Sequence, residues 1–340
     1  MAVTIKDVAA KAGCSVTTVS RILNNRGSIS EKTRKKVHTA MEELNYFPNQ
    51  LAVNLFRQRT YLVGLIVPDV SHAFYALEIK YIERVLHENG YRLLLCNAES
   101  DNMRETEYLN MLQSNKVDGI IIASHTLDLE AYSKVNLPIV ALDRFLGPDI
   151  PTVSSDHEQG GRLAAQELID NNCKKVIQIT GFCGVPTPSH KRHTVFSDVM
   201  KKNGICCETL ELPFNAFSFR DYITYADNIF RNHNHIDGIF AADNVACAME
   251  KVAISRGLNV PGDLKIVGYD GIEASLMSYK TLTTVAQPVK QLALTTVVTL
   301  LEMISGESVF DKGTHIRLPV RLIRGETTVD TKSGNEVLQQ

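Results

Sequence analysis

A chain of 340 residues is too long for one ordinary hydrophobic core, so two or three domains are expected. The formal charge of −2 and the 22% of charged residues fit an ordinary soluble globular protein and no low-complexity or disulfide-framed class. Apolar runs such as YLVGLIVP and GIIIA fall well short of a bilayer-spanning length, and MAVTIKDVAA lacks the basic and apolar regions of a secretory signal, so a cytoplasmic location is expected.

The charge is unevenly placed. Up to Arg59, ten Lys and Arg residues oppose four Asp and Glu, a formal +6 that leaves −8 for the remainder. A basic module on an acidic body is the electrostatic footprint of a polyanionic ligand. In TIKDVAAKAG, Thr4 precedes Asp7 at the spacing of a capping box, opening a first helix with the stripe Ile5, Val8 and Ala9. Gly13 ends it. A second helix begins at Ser15, a good N-cap, and turns Val19, Ile22 and Leu23 inward. Ser30 caps a third, EKTRKKVHTAMEEL, with Val37, Met41 and Leu44 facing in.

The second helix, within SVTTVSRILNN, is built from mediocre helix formers, so something other than helix propensity selects them. Val16, Thr17, Ser20, Arg21 and Asn24 share its outer face. Short hydroxyls, a methyl-bearing Val and one Arg suit phosphates, thymine methyls and guanine edges in a major groove. Two short helices joined by a tight Gly turn, the second bearing this face, form a helix-turn-helix, the plainer alternative being a generic three-helix bundle. After LNYFP comes NQLAVNLFRQRT. Pro48 can start a helix, but the stretch from Asn49 to Phe56 is too short to be stable alone and fits a switchable linker. Leu55 suits a wedge between base pairs in a minor groove.

The body repeats itself. VDGIIIAS (117–124) recurs as IDGIFAAD (236–243), and LPIVALDRF (137–145) as LKIVGYDGI (264–272). Each half therefore runs strand, helix, strand, with an Asp where the second strand gives out: Asp143 and Asp270. Continuous apolar strands (YLVGLIV, YRLLLC, KKVIQIT) alternate with helical patterns, which means buried parallel sheets in two α/β lobes. Ligands of such sheets bind beyond the carboxyl ends of the strands, so Asp143 and Asp270 should stand on opposite walls of one cleft. Three readings exist for the pair: glycosidase acid and base, acceptors of ligand hydroxyls, or helix caps. The paired placement favours hydroxyl acceptors, and glycosidase chemistry would leave the basic head unexplained. Asn97 and His125, at strand ends, are either further hydroxyl contacts or loop caps. PVKQLALTTVVTLLEMISG is amphipathic and should pack on a sheet, and TTVDTKSGNEVLQQ reads as a frayed polar tail.

Cys14, Cys96, Cys173, Cys183, Cys206, Cys207 and Cys247 include no C-x-x-C pair and are expected as reduced thiols packed as small hydrophobes. His190/His193 and His233/His235 have ligand-like spacing without matching partners and read as surface or loop histidines; no metal site is expected. No Walker loop or G-x-G-x-x-G occurs, and no cofactor is expected.

TIKDVAAKAGCSVTTVSRILNNRGSISEKTRKKV and LNYFPNQLAVNL closely resemble the DNA-binding head and hinge of the lactose/galactose repressor family of bacterial transcription regulators. By that resemblance Val16, Thr17 and Arg21 are similar to base-reading positions, and Thr18, Ser20 and Asn24 to phosphate contacts; with Ser15 they make up the expected DNA-binding face. Ala52 and Leu55 match hinge residues that enter the minor groove at the operator centre, while Val53 stands where many members carry Arg. The body resembles the family's sugar-binding core through LIVPDVSHAFY, VDGIII, LDRF, VSSDHEQGGRLAAQEL, LKIVGYDG, LTTVAQP and RLPVRLIRGE. Carried over by position, Asp143, Arg192, Asp243 and Asp270 look like polar effector contacts and Phe74 like an apolar cleft wall. The order Asp243-Asn244 is inverted relative to most members, and Val195 stands in a usual Gly place. CNAESD, GIIIASHTLDLEAYSKVNLPIVALDRFL and PTVSSDH look most like the sucrose-operon repressor branch. The Asp143-Arg144 pair argues for a polyhydroxyl ligand over a purine, and against the catabolite-control branch.

The resemblance implies a small all-α helix-turn-helix head (1–46), a hinge (47–59) and a periplasmic-binding-protein-like α/β core of two parallel-sheet lobes. The first lobe would comprise 60–156 and 288–316, the second 157–287 and 317–328, followed by a polar tail at 329–340. It implies a cytoplasmic, nucleoid-associated homodimer, with a tetramer also open, on pseudo-palindromic double-stranded operator DNA. A sucrose-type sugar or sugar phosphate would release it, with no enzyme activity and no membrane contact. A corepressor-dependent or global carbon-catabolite regulator of the same family stays open, as does a sugar-binding or sugar-processing protein.

Overall fold

A computed structural model describes residues 3–24, 26–47, 59–99, 101–124, 130–181, 183–184, 187–213, 218–307 and 313–329; Ala52, Leu55 and His125 lie outside them. Three helices form the amino-terminal unit: α1 (Ile5–Ala12), α2 (Val16–Leu23) and α3 (Glu31–Glu43). The Thr4 N–H and hydroxyl both donate to Asp7 Oδ2 at 2.8 Å, which holds that carboxyl below its ordinary range. Gly13, at φ 68°, closes α1 in the left-handed conformation that glycine reaches without a Cβ penalty. Ser15 Oγ accepts from Thr18 N–H at 3.0 Å and starts α2; Ser30 Oγ does the same for Thr33 at 3.3 Å and starts α3. Val8, Ala9, Val19, Ile22, Val37 and Ala40 close into one small core. Each fully buried aliphatic contributes about 1.5–3 kcal/mol, enough to order helices that are too short to persist singly.

The remaining described chain builds two six-stranded sheets. The first contains β1 (Leu62–Val67), β2 (Arg92–Asn97), β3 (Gly119–Ile122), β4 (Ile139–Leu142), β5 (Thr152–Ser155) and β11 (His315–Leu318), in the order β11-β5-β4-β3-β1-β2 and parallel throughout. The second contains β6 (Lys175–Thr180), β7 (Cys206–Glu211), β8 (Gly238–Phe240), β9 (Lys265–Asp270), β10 (Thr283–Ala286) and β12 (Arg321–Ile323), in the order β12-β10-β9-β8-β6-β7. The sequence repeat occupies equivalent places: β3 matches β8, and β4 matches β9.

Helices between the strands are α4 (Ala73–Glu88), α5 (Asn102–Ser114), α6 (Glu130–Ser133), α7 (His157–Asp170), α8 (Lys191–Lys202), α9 (Phe219–Asn232), α10 (Asp243–Ser255), α11 (Ala274–Met277) and α12 (Val289–Ser305). Among the described residues no helix is long and apolar enough to cross a membrane.

The chain passes from one lobe to the other after β5, after β10 and after β11, and α12 returns to pack on the first sheet. Arg317 and Leu318 still pair with β5, so the last passage falls beyond the expected boundary at 316/317. β12 is antiparallel to β10 in an otherwise parallel sheet. It enters from the end at which β10 leaves, and with no crossover helix a strand arriving there can only run backwards. β2 also differs from a buried strand: it is a sheet edge, and Leu95 is 42% exposed.

Each repeat carries a second acid at the opposite, amino-terminal end of the sheet. Asp118 accepts from the N–H groups of Thr60 and Tyr61 at 2.7 and 2.9 Å, and Asp237 from those of Lys174 and Lys175 at 2.7 and 2.8 Å. These two are clamps on strand entry. Asp237→Ala should cost about 1–3 kcal/mol in urea unfolding, because it strands two backbone donors of β6; an unchanged midpoint would show that water replaces the carboxylate.

Candidate functional site

On α2, Ser15, Val16, Thr17 and Arg21 are exposed, while Thr18, Ser20 and Asn24 are half-buried. The buried positions Val19 and Ile22 set the rotation of the helix and so decide which side chains face out. Thr18 Oγ1 lies 2.9 Å from Ser15 Oγ, and the Asn24 amide donates to the Ser20 carbonyl at 2.9 Å, so both polar groups are already aligned by local contacts. The open hydroxyl end of α2 is its amino terminus, where free backbone N–H groups favour an anion.

In the core, Asp143 and Asp270 leave equivalent strands with positive φ, 54° and 120°. Such backbone costs of order 1–3 kcal/mol at a non-glycine residue, and it occurs here at the two loops that turn a carboxylate toward the other lobe. Asp143 Oδ1 is 2.6 Å from His157 Nε2, and His157 Nδ1 is 2.8 Å from the Tyr269 hydroxyl. A carboxylate only accepts, so Nε2–H donates to Asp143, and Nδ1 pairs with the Tyr269 hydroxyl. Asp143 belongs to the first lobe, His157 and Tyr269 to the second. A second bridge runs beside it: Ser155 Oγ donates to Gln287 Oε1 at 2.7 Å, and Gln287 Nε2 donates to Asp270 Oδ1 at 2.8 Å. Burial raises the Asp270 carboxyl, with Arg192 foremost among the groups that oppose the rise.

Arg192, on α8, holds its guanidinium 4.3 Å from the centre of the Tyr269 ring, a cation–π stack. Its Nε–H donates to His193 Nε2 at 3.2 Å, so His193 carries its proton on Nδ1 and donates to Gln178 Oε1 at 3.1 Å. Gln178 is anchored in turn by Thr209 Oγ1 and Ser197 Oγ. Burial, followed by the charge of Arg192, pushes His193 well below its ordinary pKa, which keeps it the neutral acceptor this chain needs. His193 is thus a buried support and not the expected surface histidine. Two glycines on α7 make room for the arrangement. A Cβ on Gly160 would lie 2.7 Å from the Tyr269 ring, and one on Gly161 would lie 2.2 Å from the Arg192 carbonyl oxygen. The close approach of α7 to α8 therefore comes from Gly161, whatever stands at Val195, and its close approach to β9 from Gly160.

Phe74 packs with Ile272 and Val289 where the lobes meet. Asp243 departs from the expected effector set. It is 0% exposed, and its oxygens accept from Ile272 N–H at 2.9 Å and from the Thr284 hydroxyl at 2.6 Å. It braces the loop that carries Asp270, and burial followed by the Asp270 charge raises its carboxyl. Arg144, next to Asp143 in the chain, points into the first lobe. Fully buried, it donates to the Ser124 carbonyl at 2.6 Å, and Ser124 Oγ donates to Glu105, whose carboxyl burial pushes up to about 7. Asn97 Oδ1 accepts from Val70 N–H at 3.1 Å, the loop-capping alternative.

Residues 4–49 match the model of bacterial regulatory proteins of the lacI family, and residues 60–326 match that of periplasmic binding proteins and the sugar-binding domain of the LacI family. This chain belongs to the LacI family. The sucrose operon repressor of Streptococcus mutans serotype c is 39% identical over 96% of this chain and 100% of its own length. The ribose operon repressor of Bacillus subtilis is 36% identical over 96% and 98% respectively. The structure of the lac repressor dimer bound to operator and the anti-inducer ONPF superposes with a TM-score of 0.86 at 26% identity, covering 97% of this chain and 100% of that one. In this LacI-family chain the glycine pair is the packing feature that sequence reading passed over, although GG inside a helical pattern was a visible signal. Gly161→Ala should cost about 1–3 kcal/mol in urea unfolding, since a backbone carbonyl cannot rotate out of the way. An unaltered midpoint would show that α8 shifts freely.

Proposed function

We propose that this protein is a saccharide-responsive transcriptional repressor and not an enzyme. It binds a pseudo-palindromic operator as a homodimer in the cytoplasm and releases it when a sugar of the sucrose class, free or phosphorylated, occupies the cleft. The observation that carries this reading is the pair of carboxylates, Asp143 and Asp270, placed at equivalent strand ends of two lobes and joined by hydrogen bonds that pass between them. Carboxylates suit a polyol, because an ionised carboxylate can take two hydroxyl donors. Family membership and relatives named for sucrose and ribose operons support the same ligand class.

The effector set of this reading is Phe74, Asp143, Arg192 and Asp270, with Asp243 as support. A sugar that satisfies these groups replaces the bonds between the lobes. It shifts the protein only by as much as it binds the released arrangement better than the operator-bound one. The DNA-binding set is Ser15, Val16, Thr17, Thr18, Ser20, Arg21 and Asn24, with Ala52 and Leu55 assigned to the minor groove.

Arg21→Ala should cost roughly 1–3 kcal/mol on the operator and relax preference at one base pair, read by anisotropy on a panel of substituted duplexes. Uniform weakening on every duplex would make Arg21 a phosphate contact. Asp143→Ala and Arg192→Ala should still grip the operator while sugar no longer releases it, a loss of at least about tenfold in sugar affinity by calorimetry. Loss of operator binding instead would assign both residues to holding the lobes together.

A further inference from the structure

Helix α4 carries a third carboxyl to the same place. Phe74 and Glu78 are one turn apart on its buried face. The Phe74 ring packs with Ile272, two residues beyond Asp270 in the loop of the opposite lobe. Glu78 is 2% exposed, and its Oε1 has no hydrogen-bond partner among the described residues. Its carboxyl is raised by burial first and then by Asp143 and Asp270, so it stands within the field of both acids. The neighbouring Tyr75 feels the same three carboxyls, with Arg192 as the opposing cation. His72 is held below its ordinary pKa by burial, with the Asp270 charge foremost in opposing the fall.

A buried carboxyl without a donor is costly to the folded protein unless something else supplies the donor. In the interior of a lobe that something would be a neighbouring side chain. Beside a cleft it is the ligand. The charge balance narrows the ligand further, because Asp143 and Asp270 both act on Glu78 and Arg192 is the cation that foremost opposes the rise at Asp270. A phosphate group would bring two more negative charges to acids that already raise one another, whereas hydroxyls donate to all three without adding charge.

We propose that Glu78 is an effector-binding residue, taking a ligand hydroxyl between the Asp143 and Asp270 walls, and that it selects an uncharged, hydroxyl-rich saccharide over the phosphorylated form. This rests on the saccharide reading above and narrows it. Ile, Leu or Val at this buried helix position would carry no unpartnered polar atom, so the acid costs stability there.

The test uses the full chain, with calorimetry against sucrose, ribose and cellobiose and against sucrose 6-phosphate and ribose 5-phosphate, together with the Tm of the sugar-free protein. Wild type should prefer an unphosphorylated sugar. Glu78→Leu should lower affinity for the best of them at least about tenfold and Glu78→Gln by less, because the amide keeps an acceptor. In both variants the sugar-free Tm should rise, a gain that a merely structural acid would not show. Unchanged affinity in Glu78→Leu, or tighter binding of a sugar phosphate than of its parent, would overturn the proposal. So would a lower sugar-free Tm in both variants, which would mean that Glu78 is paired within the protein. Failure of wild type to bind any of the five probes would sink the saccharide reading itself, and is thereby distinguishable from failure at Glu78 alone.

Discussion

Carboxylates placed at the carboxyl ends of two facing parallel sheets must be held without being neutralised, and the core is arranged around that requirement. Asp143 is held by His157, and Asp270 by Gln287. Both holders come from the second lobe. Because Asp143 and Ser155 come from one lobe and His157, Tyr269 and Asp270 from the other, the bonds that prepare the acids also join the lobes. A guest that takes those acceptors necessarily alters the joint.

The second requirement is steric. Arg192 reaches Tyr269 only because α7 presents two glycines in succession, one to the ring and one to the backbone of α8. Behind the guanidinium, His193 and Gln178 form a relay that ends on β7 at Thr209. The cation is thus aimed by packing and by uncharged groups. Asp243 and the Glu105–Ser124–Arg144 cluster lie deeper, where they hold the loops from behind.

Much of this was legible in the chain itself. The capping box at Thr4, the caps at Ser15 and Ser30, and the buried positions Val19 and Ile22 followed from short-range rules, because a helix of a turn or two is decided by its ends and its stripe. The internal repeat located Asp143 and Asp270 at equivalent strands, since repeated strand patterns in one chain build repeated sheets. Residues whose role depends on what lies opposite were not legible. Asp243 follows a strand just as Asp143 does, and only its burial beneath Ile272 and Thr284 separates a brace from a cleft acid. Arg144, adjacent to Asp143, is instead buried against the Ser124 carbonyl, a contact twenty residues away in the chain. His193 looked like a loop histidine until α8 was laid against β6.

By itself the sequence determined a basic three-helix head with a hydroxyl-rich outer face, two α/β lobes from one repeated pattern, and an acid at the end of one strand in each. Those depend on local periodicity, capping and charge, which act over a few residues. Only the tertiary structure decided which acids face the cleft, which donors hold them, that β12 runs backwards, and that Glu78 is buried among them. Each of these is set by contacts between different elements, from 14 residues apart for Asp143 and His157 to 132 for Ser155 and Gln287, or by the direction from which the chain re-enters a sheet, and neither is written in any short stretch of it.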